Sequence, residues 1–273
     1  MRSRAFGRAQ LRVSEIGYGG GRIRRQDDEG SLIRTIHRAV DLGVNFIDTA
    51  PNYAGGYSEE LIGRALKGRR EKVILATKSE TRRPETIIAE AEESLRRLQT
   101  DVIDVLQFHG GWFLGDEAET ILNGGCIEAY QTLRGQGKIR FFGFSADGPS
   151  AGVERLIESG EFDMIQTNYN LMYQSTHDHF SGNGVIPAAE AQGMGVALMR
   201  STTSGAFPRL MRRAFPKETA DIDLDRFLLN YALSNPLVDT ALMSLRSEAE
   251  AEWADAVSND IDARFDLRAV HRG

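Results

Sequence analysis

Cysteine occurs once in the 273 residues, at Cys126. No intrachain disulfide can form, and a zinc site built on cysteine pairs is unavailable. A reducing, cytoplasmic setting is the expectation. Long apolar runs are also missing: none approaches the roughly 18 residues of a membrane-spanning helix. The N-terminal MRSRAFGRAQLRVSEIG carries basic residues with no leader-length apolar stretch behind them. Basic charge is not in excess either, since 33 Lys and Arg stand against 39 Asp and Glu for a net charge of −6. A general nucleic-acid binder would need a basic face for the phosphates, whereas one local basic pocket for a small phosphorylated ligand remains compatible. Low-complexity tracts and Ser/Pro-rich linkers are absent. So is a GxGxxG turn leading into a helix: the glycine cluster Gly17-Tyr18-Gly19-Gly20-Gly21 has the wrong spacing.

What the sequence does contain is alternation. Eight short β-branched or aromatic runs occupy 13–19, 44–49, 73–77, 102–108, 139–145, 164–168, 195–199 and 239–244. Each is nearly continuous in apolar residues, as strands buried on both faces must be. Helical patterns fall between them at 31–42, 84–98, 127–135, 151–159, 186–192, 224–234 and 247–257. Repeated β–α units imply parallel strands joined by right-handed crossovers, and eight of them predict an α/β fold of the (β/α)8 TIM-barrel kind. The length suits one such barrel, so residues 1–273 are expected to form a single domain.

In such a barrel the working residues sit at the C-terminal ends of strands. The second run ends in Asp48, with Tyr53 in the following loop; the third ends in Lys78; the fourth ends in His109. Taken singly, they read as a cap, a loop aromatic, a solvated amine and a structural histidine. Together around one mouth they form a set suited to carbonyl chemistry. Hydride reaching a carbonyl carbon leaves negative charge on oxygen, which a proton donor must meet. A phenol, with a free pKa of about 10, holds its proton at neutral pH. A neighbouring ammonium is expected to lower that pKa, an aspartate to hold the ammonium, and an imidazole to hydrogen-bond the oxygen.

The stretch Asp48-Thr49-Ala50-Pro51-Asn52-Tyr53, followed by Ser58-Glu59 and Leu61-Ile62-Gly63-Arg64-Ala65-Leu66, resembles the DTAxxY…SExxLGxAL signature of the aldo-keto reductases. Ala76-Thr77-Lys78 resembles the strand carrying their lysine, and Asp104-Val105-Leu106-Gln107-Phe108-His109 the strand carrying their histidine. The resemblance spans about residues 11–257 and implies that Asp48, Tyr53, Lys78 and His109 form the family tetrad. Tyr57 lies at the wrong distance from Asp48 for the donor and is assigned to the loop.

The resemblance also implies a nicotinamide cofactor, NADP(H), with NAD(H) as an alternative. Gly143-Phe144-Ser145 and Gln166 match positions that contact the carboxamide, although Ala146 stands where the family has Asn. Met199-Arg200 matches the strand end beside the nicotinamide, with Ser201 in place of the usual Pro. Ser244-Leu245-Arg246-Ser247, then Glu250, resembles the turn that holds the adenosine phosphate. Ser244 replaces a usual Gly, and Ala254 stands where an adenine-contacting Asn is expected. Arg246 and Ser247 at a helix N-terminus would suit a 2′-phosphate.

For the substrate, Trp112 and Phe113 are expected to wall the pocket, and Arg22 to meet a polar or anionic group. No metal site is expected: His177-x-His179 lacks a paired third ligand. The short charged tail, 258–273, suggests an open pocket for bulky or polar compounds such as sugars. The expected ligand is a small carbonyl or sugar-like molecule, with neither nucleic acid nor membrane involved. Two other readings fit the same residues: a non-catalytic, redox-sensing cofactor-binding subunit, and an epimerase or dehydratase using transient redox chemistry.

Overall fold

The computed structural model describes residues 1–179 and 181–271. The chain opens with an antiparallel hairpin, β1 (Ser3–Phe6) and β2 (Leu11–Ser14). Eight parallel strands follow: β3 (Ile16–Gly19), β4 (Phe46–Asp48), β5 (Ile74–Ser79), β6 (Ile103–His109), β7 (Ile139–Ala146), β8 (Met164–Asn168), β9 (Gly195–Met199) and β10 (Thr240–Met243). They pair in sequence order and β10 returns to β3, closing the barrel. The expected first strand, 13–19, is divided by Glu15: its first part belongs to the hairpin and its second to the barrel.

Helices α1 (Glu29–Asp41), α2 (Tyr57–Ala65), α3 (Pro84–Leu98), α4 (Gly115–Asn123), α5 (Cys126–Gly135), α6 (Ala151–Glu158), α7 (Val185–Ala191), α8 (Ala206–Ala214), α9 (Leu224–Leu233), α10 (Glu248–Asn259) and α11 (Leu267–Val270) make up the helical complement. Their starts follow local chemistry. Asp28, Ser150, Asp223 and Ser247 each accept a backbone N–H two or three residues into a helix, and Pro84 occupies the first turn of α3. No helix among the described residues is long and apolar enough to cross a membrane.

Two apolar layers result. Outward-facing strand residues meet the helices; around β6 and β7 this layer includes Phe108, Tyr130, Phe142, Phe144 and Phe162, with ring centroids 4.4–6.2 Å apart along the chain of contacts. The inward layer is smaller. Phe46, Ile74, Ala76, Val105, Met164, Ala197 and Leu242 fill the lower barrel, and Phe6 and Val13 of the hairpin join them from below. Gly7, in the left-handed region at φ 47°, lets the hairpin close on this floor; a Cβ there would stand 2.3 Å from Gly195 N.

At the base of β10, the Asp239 carboxylate accepts the Val196 N–H at 2.8 Å, yet burial pushes its pKa up to about 6. A carboxyl raised on folding contributes stability that is complete below its unfolded pKa and is lost as pH rises through about 6. Asp239→Asn keeps an oxygen acceptor without that charge. Thermal melts should therefore show the variant gaining about 2–4 °C over the parent at pH 8 and losing the gain near pH 4.

Candidate active site

Side chains on a strand alternate between faces, so the residue two places beyond each floor residue points into the barrel one layer higher. From Phe46 this reaches Asp48; from Ala76, Lys78; from Val105, Gln107 and then His109; from Met164, Gln166; from Ala197, Met199; from Leu242, Ser244. The apolar floor thus gives way to a polar upper layer at the strands' C-terminal ends. Above it opens a cleft of about 740 Å³, whose lining includes Asp48, Tyr53, His109, Ser145, Gln166, Met199, Arg200 and Ser244.

Lys78, fully buried, donates to both carboxylate oxygens of Asp48 at 2.7 and 2.8 Å and to the Thr49 carbonyl at 2.6 Å. Gln107 Nε2 donates to Asp48 Oδ1 at 3.1 Å. Burial works against the ammonium, but the Asp48 charge and hydrogen bonds more than offset it, so the Lys78 pKa lies above its ordinary value.

Tyr53 hangs over this pair from the loop between β4 and α2. Ser58, in the first turn of α2, pins that loop by bonding Thr49 Oγ1 at 2.9 Å and donating to the Gly20 carbonyl at 3.1 Å. Glu59, also buried, accepts from Thr77 and Arg97, each at 2.6 Å. The Ser-Glu pair of the signature is therefore scaffolding. Gly55 and Gly56, at φ 61° and 86°, supply the left-handed turn between Tyr53 and α2. Tyr57 instead opens α2, and its hydroxyl donates to Glu29 at 2.9 Å.

The Lys78 ammonium lies 5.0 Å from the Tyr53 ring centroid, and His109 meets that ring edge-on at 5.8 Å. The phenol's pKa, expected to fall, is raised. Desolvation is the largest influence, and the lowering by Lys78 does not cancel it. His109 Nδ1 is 2.5 Å from a carboxylate oxygen of Glu80, which stands just past β5, and the His109 carbonyl accepts from Arg82 at 2.7 Å.

Along the cleft, Ser145 and Gln166 are both buried. The Ser145 hydroxyl accepts from Gly110 N at 3.3 Å, while Gln166 Oε1 has no hydrogen-bond partner among the described residues. A buried amide oxygen without a donor is costly, and a carboxamide NH2 would satisfy it; this orphan acceptor fits the residues to a nicotinamide. Asp147, unanticipated from sequence, also lines the cleft: it pairs with Arg200 at 3.0 Å and accepts from Asn168. Arg200 lies in the left-handed region at φ 58°.

Of the expected phosphate contacts, Ser244 lines the cleft, whereas Arg246, Ser247 and Glu250 lie outside that lining. Arg246 is engaged, donating to Asp27 at 2.6 Å and to the Arg22 carbonyl at 2.9 Å. Ser247 caps α10 by accepting from Glu250 N at 3.2 Å, and the Glu250 carboxylate returns to Arg246 N at 2.7 Å. Arg22 reaches the cleft and donates to Ser204 O at 2.9 Å. Phe113 does not wall the pocket. It is fully buried and packs edge-on against Phe144 at 5.6 Å, because Gly110 leaves room for its ring beneath the loop. Trp112 is 54% exposed and lies against Gly148. None of the cleft-lining residues comes after Ser244. His271 instead stacks on His179 at 4.8 Å, holding the described tail against Tyr231. Among the described residues no group of three or more His, Cys, Asp or Glu is arranged to hold a metal ion.

A closed parallel barrel with this ion pair, phenol and imidazole at its mouth defines a class of oxidoreductase architecture. The chain belongs to the Aldo/keto reductase family, whose pattern it matches over residues 15–223. It is 33% identical over 183 residues to the uncharacterized oxidoreductase YqkF of Bacillus subtilis, a match covering 63% of this chain and 57% of that one. It is 32% identical over 231 residues to the aldo-keto reductase YhdN of the same organism, covering 78% and 65%. The chain thus spans less than two thirds of the length of these two relatives. Among solved structures, the holo form of aldo-keto reductase AKR11C1 from Bacillus halodurans superposes with a TM-score of 0.79 at 26% identity, covering 98% of this chain and 94% of that one. The aldo-keto reductase from Klebsiella pneumoniae in complex with NADPH superposes with a TM-score of 0.76 at 22% identity, covering 100% of this chain and 94% of that one.

Proposed function

We propose that the protein is an NADP(H)-dependent oxidoreductase that interconverts a small carbonyl compound and its alcohol, with Tyr53 as proton donor. The observation that carries this reading is the convergence of Tyr53, the Lys78–Asp48 pair and His109 on one cleft. Ser145 and Gln166 would hold the carboxamide, Met199 and Arg200 would flank the ring, and Arg246, Ser247 and Glu250 would lie toward the adenosine end. The bound nicotinamide supplies or accepts hydride.

The protein's own part is to place and neutralise charge. Tyr53 directs its phenol proton toward the substrate oxygen, His109 orients that oxygen, and Lys78 stands ready to stabilise the phenolate left when the Tyr53 proton departs. The net rise in the phenol's pKa suits a donor that keeps its proton until the oxygen becomes basic. The cleft's polar rim favours polar or bulky carbonyl compounds, including keto-sugars, and cytoplasmic action on small molecules is part of the same reading.

Titration with NADPH should quench protein fluorescence, and a panel of aldehydes, ketones and keto-sugars should give turnover. Binding with no turnover on any of them would favour a redox-sensing subunit. A product with no net redox change would favour an epimerase or dehydratase. Arg246→Ala should weaken NADPH binding about tenfold while leaving NADH within about twofold in the same titration; equal losses for both would remove Arg246 from 2′-phosphate recognition.

A further inference from the structure

The histidine of this site does not stand alone. Its Nδ1 is held at 2.5 Å by Glu80 Oε1, and Asn52 Nδ2 lies 3.5 Å from the same nitrogen. The backbone of Glu80 is itself fixed, because its N–H donates to Glu90 at 2.9 Å and Glu90 also accepts from Ser79 at 2.7 Å. The charged and titratable groups facing His109 are Glu80 from the end of β5, Tyr53 from the loop after β4, and the Lys78–Asp48 pair below. Arg82, paired with Glu117, meets its carbonyl. The Glu80 charge also reaches the phenol, where it acts to raise the pKa.

We propose that Glu80 is a positioning residue, holding the Nδ1 proton of His109 so that Nε2 alone is offered to the substrate oxygen. This rests on the oxidoreductase reading and deepens it. A carboxylate can only accept, so the hydrogen bond places the proton on Nδ1. With one ring proton, Nε2 presents a lone pair and takes a hydrogen bond from an alcohol hydroxyl. With a second, Nε2–H donates to a carbonyl oxygen. The proton that ends on that oxygen in reduction comes from Tyr53 Oη and returns there in oxidation; His109 orients the oxygen in both directions. The order is that of a carboxylate fixing an imidazole tautomer, with the ring acting on substrate.

The test uses the full chain labelled with 15N-histidine. Long-range 1H–15N spectra of the ligand-free protein should show the neutral His109 ring as the Nδ1–H tautomer; an Nε2–H tautomer overturns the proposal. In Glu80→Gln the side-chain amide can donate to Nδ1, and the population should move toward Nε2–H. In that variant kcat for alcohol oxidation should fall about tenfold with KM for cofactor unchanged. In a His109→Gln background the same substitution should have no further effect on kcat, and an equal tenfold loss there would show that Glu80 acts through something else. A wild-type protein with no turnover would count against the enzymatic reading, whereas the tautomer spectrum decides the role of Glu80 independently.

Discussion

Tyr53→Phe should abolish most turnover, lowering kcat by about 10²–10⁴-fold, while NADPH still quenches the protein's fluorescence with an affinity within about twofold of wild type. The expectation follows from geometry. The phenol, the proposed O–H donor, stands between Lys78 and His109, and Phe keeps the ring while removing the proton. Among the described residues the hydroxyl makes no hydrogen bond to the backbone, so the melting temperature should stay within a few degrees. A variant that keeps wild-type turnover would show that the proton comes from elsewhere, and the proposed chemistry would fail with it.

The second large effect is on folding as well as rate. Lys78→Met leaves the Asp48 carboxylate buried, with Gln107 as its remaining side-chain donor among the described residues. Breaking one side of a buried ion pair costs about 3–5 kcal/mol, which for a chain of this size should lower the melting temperature by roughly 8–15 °C. Turnover should fall at least as far as in Tyr53→Phe, because nothing then stabilises the phenolate. Adding Asp48→Asn to Lys78→Met removes the stranded charge and should recover part of the lost stability but none of the activity. Recovery of activity in the double variant would contradict the role given to the ammonium. The Lys78 pKa is raised on folding, so its stabilisation is complete below the unfolded value near 10.4 and is lost as pH rises through the higher folded value. Alkaline melts should accordingly show the parent losing stability that Lys78→Met does not have to lose.

The eight strands were legible because each is buried on both faces and so reads as a short apolar run, with charged or glycine residues marking its ends. The tetrad candidates were legible for a related reason: once Asp48, Lys78 and His109 are placed at strand ends, barrel closure brings them to one mouth. Other features depend on partners far away in sequence. Arg246 is engaged by Asp27, 219 residues earlier, and no local pattern reports that. Phe113 and Trp112 are adjacent loop aromatics, and only the packed loop decides that one is buried and the other exposed. The net effect on Tyr53 required knowing how deeply the ring is enclosed, since burial and the ammonium act in opposite directions. Gln107 was within reach of sequence reasoning, because it shares the inward face of β6 with His109. Glu80 was not, because it lies beyond the strand where alternation no longer fixes direction.

The hairpin beneath the barrel has a consequence for proton supply. Phe6 and Val13 stopper the lower end, beneath the apolar side chains of Phe46, Val105, Met164 and Leu242. Under the proposed chemistry, water-borne hydrogen ions that replenish Tyr53 would use the same doorway as the substrate. A bulky guest lodged in that doorway should slow reprotonation, so solvent isotope effects should grow with the size of the molecule being reduced.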